Sequence, residues 1–159
     1  MEKQICKVLR ETDEQYMKKA LELARQSAAM GEVPVGAVIV RDGEILCGAH
    51  NRRETDKDAS AHAELIAIRE ACDLLGGWRL TGCTLYVTLE PCPMCAGALV
   101  NARVDRVVYG VKDAAAGCCG SVLNLNAYPF NHAFAVTGGV CEQECRELLR
   151  DFFKQRRNP

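Results

Sequence analysis

The sequence predicts an α/β domain in which one sheet is covered by helices on both faces. Two observations carry this. Runs of β-branched residues alternate with segments of helical apolar spacing, in the order helix, hairpin, helix, strand, helix, strand, loop, strand, helix. The 159 residues, 48% hydrophobic and 26% charged, suffice for one domain with a sizeable core. No linker, repeat or low-complexity segment divides residues 1–159.

Each element has a local reason. Thr12-Asp13-Glu14-Gln15 reads as a capping box that opens the first helix. Met17, Ala20, Leu21, Ala24 and Ala28 carry that helix to about Met30, and Gly31 stops it. Val35 to Val40 is a strand, Asp42-Gly43 a tight turn, and Ile45 to Gly48 the returning strand. His50 to Ser60 is polar and aperiodic, hence a loop. Ala61 to Leu75 is the second helix, with Leu65, Ile68, Cys72 and Leu75 on one face and Gly76-Gly77 at its end. Thr84 to Thr88 is a strand that leads through Glu90-Pro91-Cys92 into a third helix of small and apolar residues, Gly97 to Val100. Val104 to Tyr109 is a fourth strand, Gly110 to Ser121 a loop, Ala133 to Thr137 a short fifth strand, and Cys141 to about Arg157 the last helix.

The chemistry concentrates in Pro91-Cys92-Pro93-Met94-Cys95 and in His62-Ala63-Glu64. Two cysteines three apart on a helix share a face, so one ion can reach both sulfurs. Pro93 fits the first helical turn, which puts Cys92 at the N-terminus, where the dipole favours thiolate. A soft, doubly thiolate site suits zinc, and His62 offers a third ligand. Three protein ligands leave one coordination position open, as catalytic zinc sites do, whereas structural sites usually close with four. Glu64 is the candidate proton carrier. Residues two apart on a helix point roughly 200° apart, so His62 must stand at the very start of its helix for both side chains to face one ion. Asp58 and Ser60 are candidate caps for that start. The competing readings are a structural zinc knuckle or redox pair for the cysteines, and an ordinary salt-bridged helix residue for Glu64. H-x-E combined with P-C-x-x-C is the known signature of zinc deaminases.

The bulk properties narrow the class. A net charge of −1 argues against a grossly basic nucleic-acid coat but is compatible with a local basic patch. No window approaches the roughly 18–20 apolar residues of a membrane span. Met1 to Arg10 lacks a secretory pattern, so a cytoplasmic protein is expected. Of ten cysteines, eight (Cys6, Cys47, Cys72, Cys83, Cys118, Cys119, Cys141 and Cys145) are read as reduced small hydrophobes. Cys118, Cys119, Cys141 and Cys145 are the alternative, a second metal cluster, without any histidine or acidic pattern to strengthen it. In the last helix, Arg146, Arg150, Lys154 and Arg157 form a basic stripe, readable either as a phosphate-binding face or as a solvated surface. Phe152 and Phe153 are read as core residues and not as base-stacking platforms, with room for one of the pair to be exposed.

From about Thr12 to Arg157 the sequence resembles the bacterial tRNA-specific adenosine deaminases of the cytidine deaminase-like superfamily. Beyond the zinc motif, the likeness rests on Gly31 to Ala37, Asn51-Arg52, Thr84 to Glu90, Val107 to Gly110, Gly117 to Ser121, Asn131-His132 and Asp151 to Phe153. The resemblance implies a three-layer α/β/α fold around a five-stranded mixed sheet, and a homodimer. It implies hydrolytic conversion of adenosine to inosine at the wobble position of a tRNA anticodon, with release of ammonia. The nucleic-acid partner would be an anticodon stem-loop and not DNA. His62, Cys92 and Cys95 would hold one zinc per subunit, and Glu64 would shuttle protons. By the same likeness Asn51 would help bind the nucleoside and Asp113 would lie near its ribose. Asn51 also suits a turn, and Asp113 a loop or helix cap. Arg150, Lys154 and Arg157 are the candidate RNA contacts. The rival functions are a small-molecule deaminase acting on guanine, cytosine or a nucleotide, and a non-catalytic RNA-binding zinc protein.

Overall fold

The computed structural model describes residues 1–158. Helix α1 (Glu2–Ala29) precedes the hairpin β1 (Gly36–Arg41) and β2 (Glu44–His50). A one-turn helix α2 (Arg53–Asp56), helix α3 (Ala63–Leu75), strand β3 (Cys83–Leu89) and helix α4 (Pro93–Asn101) follow. Strands β4 (Arg106–Val111) and β5 (Ala135–Thr137) and helix α5 (Glu142–Arg157) complete the chain. The five strands make one mixed sheet in the order β2-β1-β3-β4-β5. β1 runs antiparallel to both its neighbours, while β3, β4 and β5 run parallel.

The three layers follow from the two-residue alternation of strand side chains. Ala37, Ile39, Leu85, Val87, Val107 and Tyr109 face one apolar cluster, shared with Ala63 and Ala67 of α3 and Leu99 and Val100 of α4. Val38, Val40, Tyr86 and Val108 face a second cluster, with Met17, Ala20 and Leu21 of α1 and Cys145 of α5. Because both faces of the central strands are buried, these strands read in the sequence as unbroken apolar runs. The hairpin closes as expected: Arg41 pairs with Glu44, and Asp42 and Gly43 take φ of 52° and 77°. Positive φ at both loop positions is the I′ geometry that matches strand twist.

Three local expectations are corrected. α1 begins at Glu2, not at Thr12. Residues before Thr12 are mostly good helix formers, tied by the Lys7–Glu11 and Arg10–Glu14 pairs. The Thr12 hydroxyl donates back to the Val8 carbonyl at 2.9 Å instead of capping. Within the expected His50–Ser60 loop, β2 continues to His50 and α2 forms. Asp58 and Ser60 do not cap α3. The Asp58 carboxylate accepts from the Ser60 N–H and hydroxyl, making a closed turn ahead of His62.

Candidate active site

The parallel strands β3 and β4 end at one edge of the sheet, where ligand crevices form in open α/β sheets. β1 is antiparallel, so its start and the end of β2 reach the same edge. The segments that leave these strand ends enclose a cavity of about 230 Å³. Val33, Asn51, His62, Glu64, Cys92 and Asp113 are among its lining residues. Small-molecule sites typically span about 300–1,000 Å³, so this cavity suits one planar base with the rest of a larger ligand outside.

His62 is the N-cap of α3, with extended backbone (φ −75°, ψ 149°), as the angular argument from the sequence requires. Its ring therefore turns towards the same point that Glu64 faces from the first helical turn. Cys92 is the N-cap of α4, Pro93 its first residue, and Cys95 lies within the first turn, fully buried. The His62 Nδ1 atom stands 3.6 Å from Cys92 Sγ and 3.5 Å from Cys95 Sγ. The donor atoms all lie within 4.8 Å of one another.

These distances fit zinc. Bonds of about 2.3 Å to sulfur and about 2.0–2.1 Å to nitrogen at tetrahedral angles set S and N roughly 3.6 Å apart. The Cys95 thiol and the His62 ring hydrogen-bond to the Cys92 sulfur and lower its pKa to about 4 despite burial. The resulting Cys92 thiolate and burial push Cys95 upward, and a coordinated cation reverses that by taking the thiolate form outright. Burial pushes Glu64 up to about 7, although its own backbone N–H and the His62 charge oppose the rise. Among the described residues this trio is the one grouping of metal-ligand type, so Cys118, Cys119, Cys141 and Cys145 do not gather into a second site.

Residues 10–111 match the family described as the cytidine and deoxycytidylate deaminase zinc-binding region. The chain is 53% identical over 146 residues to the tRNA-specific adenosine deaminase of Bacillus subtilis, covering 91% of each chain. The chain belongs to this deaminase family, among the tRNA-specific adenosine deaminases. A structure from a study of A-to-I editing by tRNA:A34 deaminases superposes with a TM-score of 0.83 at 43% identity, over 85% of this chain and 99% of that one. A guanine deaminase from Nitrosomonas europaea shares the fold, with a TM-score of 0.77 at 24% identity over 87% of this chain and 83% of the other. The cofactor of this deaminase is Zn²⁺.

Asn51 and Asp113 both reach the cavity wall, and both also hold their own loops. The Asn51 amide donates to the Val33 carbonyl at 3.1 Å, and its Oδ1 accepts from the Arg53 N–H at 3.2 Å. One N–H and one lone pair remain for a ligand edge. Asp113 Oδ1 accepts from the N–H groups of Ala115 and Ala116. Asn51 thus holds a turn, and Asp113 holds the 114–116 turn without capping a helix; these bonds fix the side chains that the cavity presents.

α5 lies on the other face of the sheet, packed through Cys145, Leu148 and Leu149; Phe152 is buried as well, while Phe153 is exposed. Arg146 is paired with Glu142 at 2.7 Å, Arg150 lies 3.6 Å from Asp151, and Arg157 donates to the Phe153 carbonyl. Arg156, outside the expected stripe, donates to the Gly31 carbonyl at 3.0 Å. That bond brings the basic end of α5 beside the loop that supplies Val33 to the cavity wall two residues later.

Two buried glutamates were not singled out from the sequence. Glu90 is treated below. Glu32 accepts from the Glu54 N–H at 3.2 Å and from the Thr55 N–H and hydroxyl at 2.6 and 2.8 Å, capping α2 from a distant loop. Burial alone would raise its pKa, but the Thr55 and Glu54 donors and the Arg53 charge outweigh it and hold Glu32 below its ordinary value of 4.5. A lowered carboxyl stabilises the fold fully above that value, and the contribution is lost as pH falls through the folded pKa. Glu32→Gln should therefore lower Tm by about 3 °C at neutral pH. The gap to the native protein should close below pH 4.5. Calorimetry from pH 7 to 3 checks this, and a pH-independent gap refutes it.

Proposed function

We infer that this chain is a zinc-dependent hydrolase that converts adenosine to inosine at the wobble position of a tRNA anticodon, releasing ammonia. The observation that carries the reading is the convergence of His62, Cys92 and Cys95 on one point at the floor of a base-sized cavity, with buried Glu64 beside them. The named tRNA deaminase relatives supply the substrate class.

His62 Nδ1, Cys92 Sγ and Cys95 Sγ would hold one zinc per subunit, leaving a position open towards the cavity. When bound, zinc supplies the Lewis acidity that makes water nucleophilic near neutral pH. The Glu64 carboxylate takes a proton from the attacking water and passes it to N1 of the adenine, while a C–O bond forms at C6. Glu64 then takes the remaining proton from the new C6 hydroxyl and delivers it to the departing 6-amino group as the C6–N bond breaks, so that ammonia leaves and the ring keeps a carbonyl. The remaining donor and acceptor of Asn51 meet the base edge, and Asp113 lies on the side of the ribose. A wobble base must leave its stack to reach this cavity, so the flanking phosphates remain outside.

Arg150, Lys154 and Arg157 are the proposed contacts for those phosphates, supported by the approach of α5 to the cavity wall. Arg150→Gln with Lys154→Gln should weaken stem-loop binding about fivefold at low salt and flatten the salt dependence. Unchanged affinity across a salt titration excludes this face.

The resemblance also supports a cytoplasmic homodimer built from one domain per chain. Among the described residues, no helix is long and apolar enough to cross a membrane. The deciding experiment incubates the protein with an anticodon stem-loop bearing the wobble adenosine, and with free guanine in parallel. Inosine at the wobble position with guanine untouched is expected. Guanine turnover without RNA editing would keep the zinc chemistry and overturn the substrate.

A further inference from the structure

Glu90 is 1% exposed and stands between the last strand residue of β3 and the Pro91-Cys92 entrance of α4. Every hydrogen bond of its side chain goes to one loop. Its oxygens accept from the N–H groups of Asp113 (3.4 Å), Cys119 (3.1 Å) and Ser121 (3.2 Å), and from the Ser121 hydroxyl. Among the described residues no lysine or arginine pairs with it, so loop donors alone compensate a buried carboxylate. The loop is moulded to the group: a Cβ at Gly117 would lie 2.1 Å from Glu90 Oε2. The adjoining Cys118 N–H donates to the Pro91 carbonyl at 2.9 Å, a second tie between the same two segments. One of these segments brings Glu90 itself and Cys92 to the cavity, and the other presents Asp113 and Ala116 to it.

We propose that Glu90 is a positioning residue that fixes the Asp113 wall against the metal-bearing helix, and so sets how the nucleoside is held. The proposal rests on the deaminase reading above. Glu90 acts through the 113–121 loop: it keeps the wall from drifting while the chemistry proceeds at His62, Glu64, Cys92 and Cys95. Removing it should therefore affect substrate capture more than turnover.

Glu90→Gln keeps the shape of the side chain but sets N–H donors against N–H donors. In the zinc-loaded protein, amide exchange at 113–121 should accelerate while α3 and α4 are unchanged and zinc content stays equal. KM for the stem-loop should rise about tenfold and kcat fall less than about threefold. Ser121→Ala, which removes one donor, should move exchange and KM in the same direction by less. In the Glu90→Gln background it should add nothing, since the two act as a unit. Unchanged exchange, or a fall in kcat at constant KM, overturns the proposal. Should Glu90→Gln lose zinc or fail to fold, Ser121→Ala decides alone: native exchange and KM overturn it. If the unmodified protein leaves RNA unedited, the functional reading fails, while the exchange experiment still judges whether Glu90 holds the loop.

Discussion

Replacing Glu64 by Gln is expected to lower kcat on the stem-loop by about 10³- to 10⁴-fold, with zinc retained. The side chain is 4% exposed and lines the cavity directly beside the ligand trio. Gln preserves its volume and one acceptor but cannot take a proton from water or return one to the leaving amine. Both proton transfers fail together, so the loss should appear in kcat with little change in RNA affinity. Metal analysis beside single-turnover kinetics separates the outcomes. Lost activity with native zinc supports the shuttle, and lost zinc makes Glu64 a scaffold for the site. Retained activity transfers the role to another group and reopens the reading of this chain as a catalyst.

The placement of Glu64 also marks how far local sequence reasoning reaches. The demand that His62 stand at a helix start follows from helical geometry alone, and the structure puts His62 at the N-cap. Pro93 likewise fixes Cys92 at the entrance of α4. The sheet was legible because each central strand is buried on both faces, so apolar content and strand identity coincide. What escaped depends on partners distant in the chain. α2 forms because Glu32, 22 and 23 residues before its bonding partners, caps it. The 113–121 loop is ordered by Glu90, 23 to 31 residues away from its donors. No period or local motif encodes such pairings, and a single glutamate in a connecting segment looks the same whether it is solvated or holds a loop. Thr12 failed for the opposite reason. Its capping pattern was present, but the preceding residues were already helical, and the hydroxyl satisfied itself on Val8.

Removing zinc with a chelator should abolish deamination yet leave the chain folded. In zinc fingers the metal supplies the folding free energy, because little else does. Here two apolar clusters enclose the sheet from both sides, and neither depends on the ligand trio. Burying a single large apolar side chain contributes about 1.5–3 kcal/mol, and Met17, Leu21, Ile39, Leu85 and Leu99 are among those fully buried. The ligands themselves stand at helix starts, His62 and Cys92 as N-caps, so loss of the ion frees two helix ends and not a core. The expected result is native far-UV circular dichroism, cooperative unfolding at a Tm lower by about 5–10 °C, and activity restored by added zinc. Cys95→Ala should reproduce the chelated state without rescue, since the sulfur it removes is fully buried and, among the described residues, no further cysteine or histidine joins the trio. A chain that unfolds on chelation would mean that the three ligands serve the fold first. The open coordination position, and with it the assignment of hydrolysis to this cavity, would then lose its physical basis.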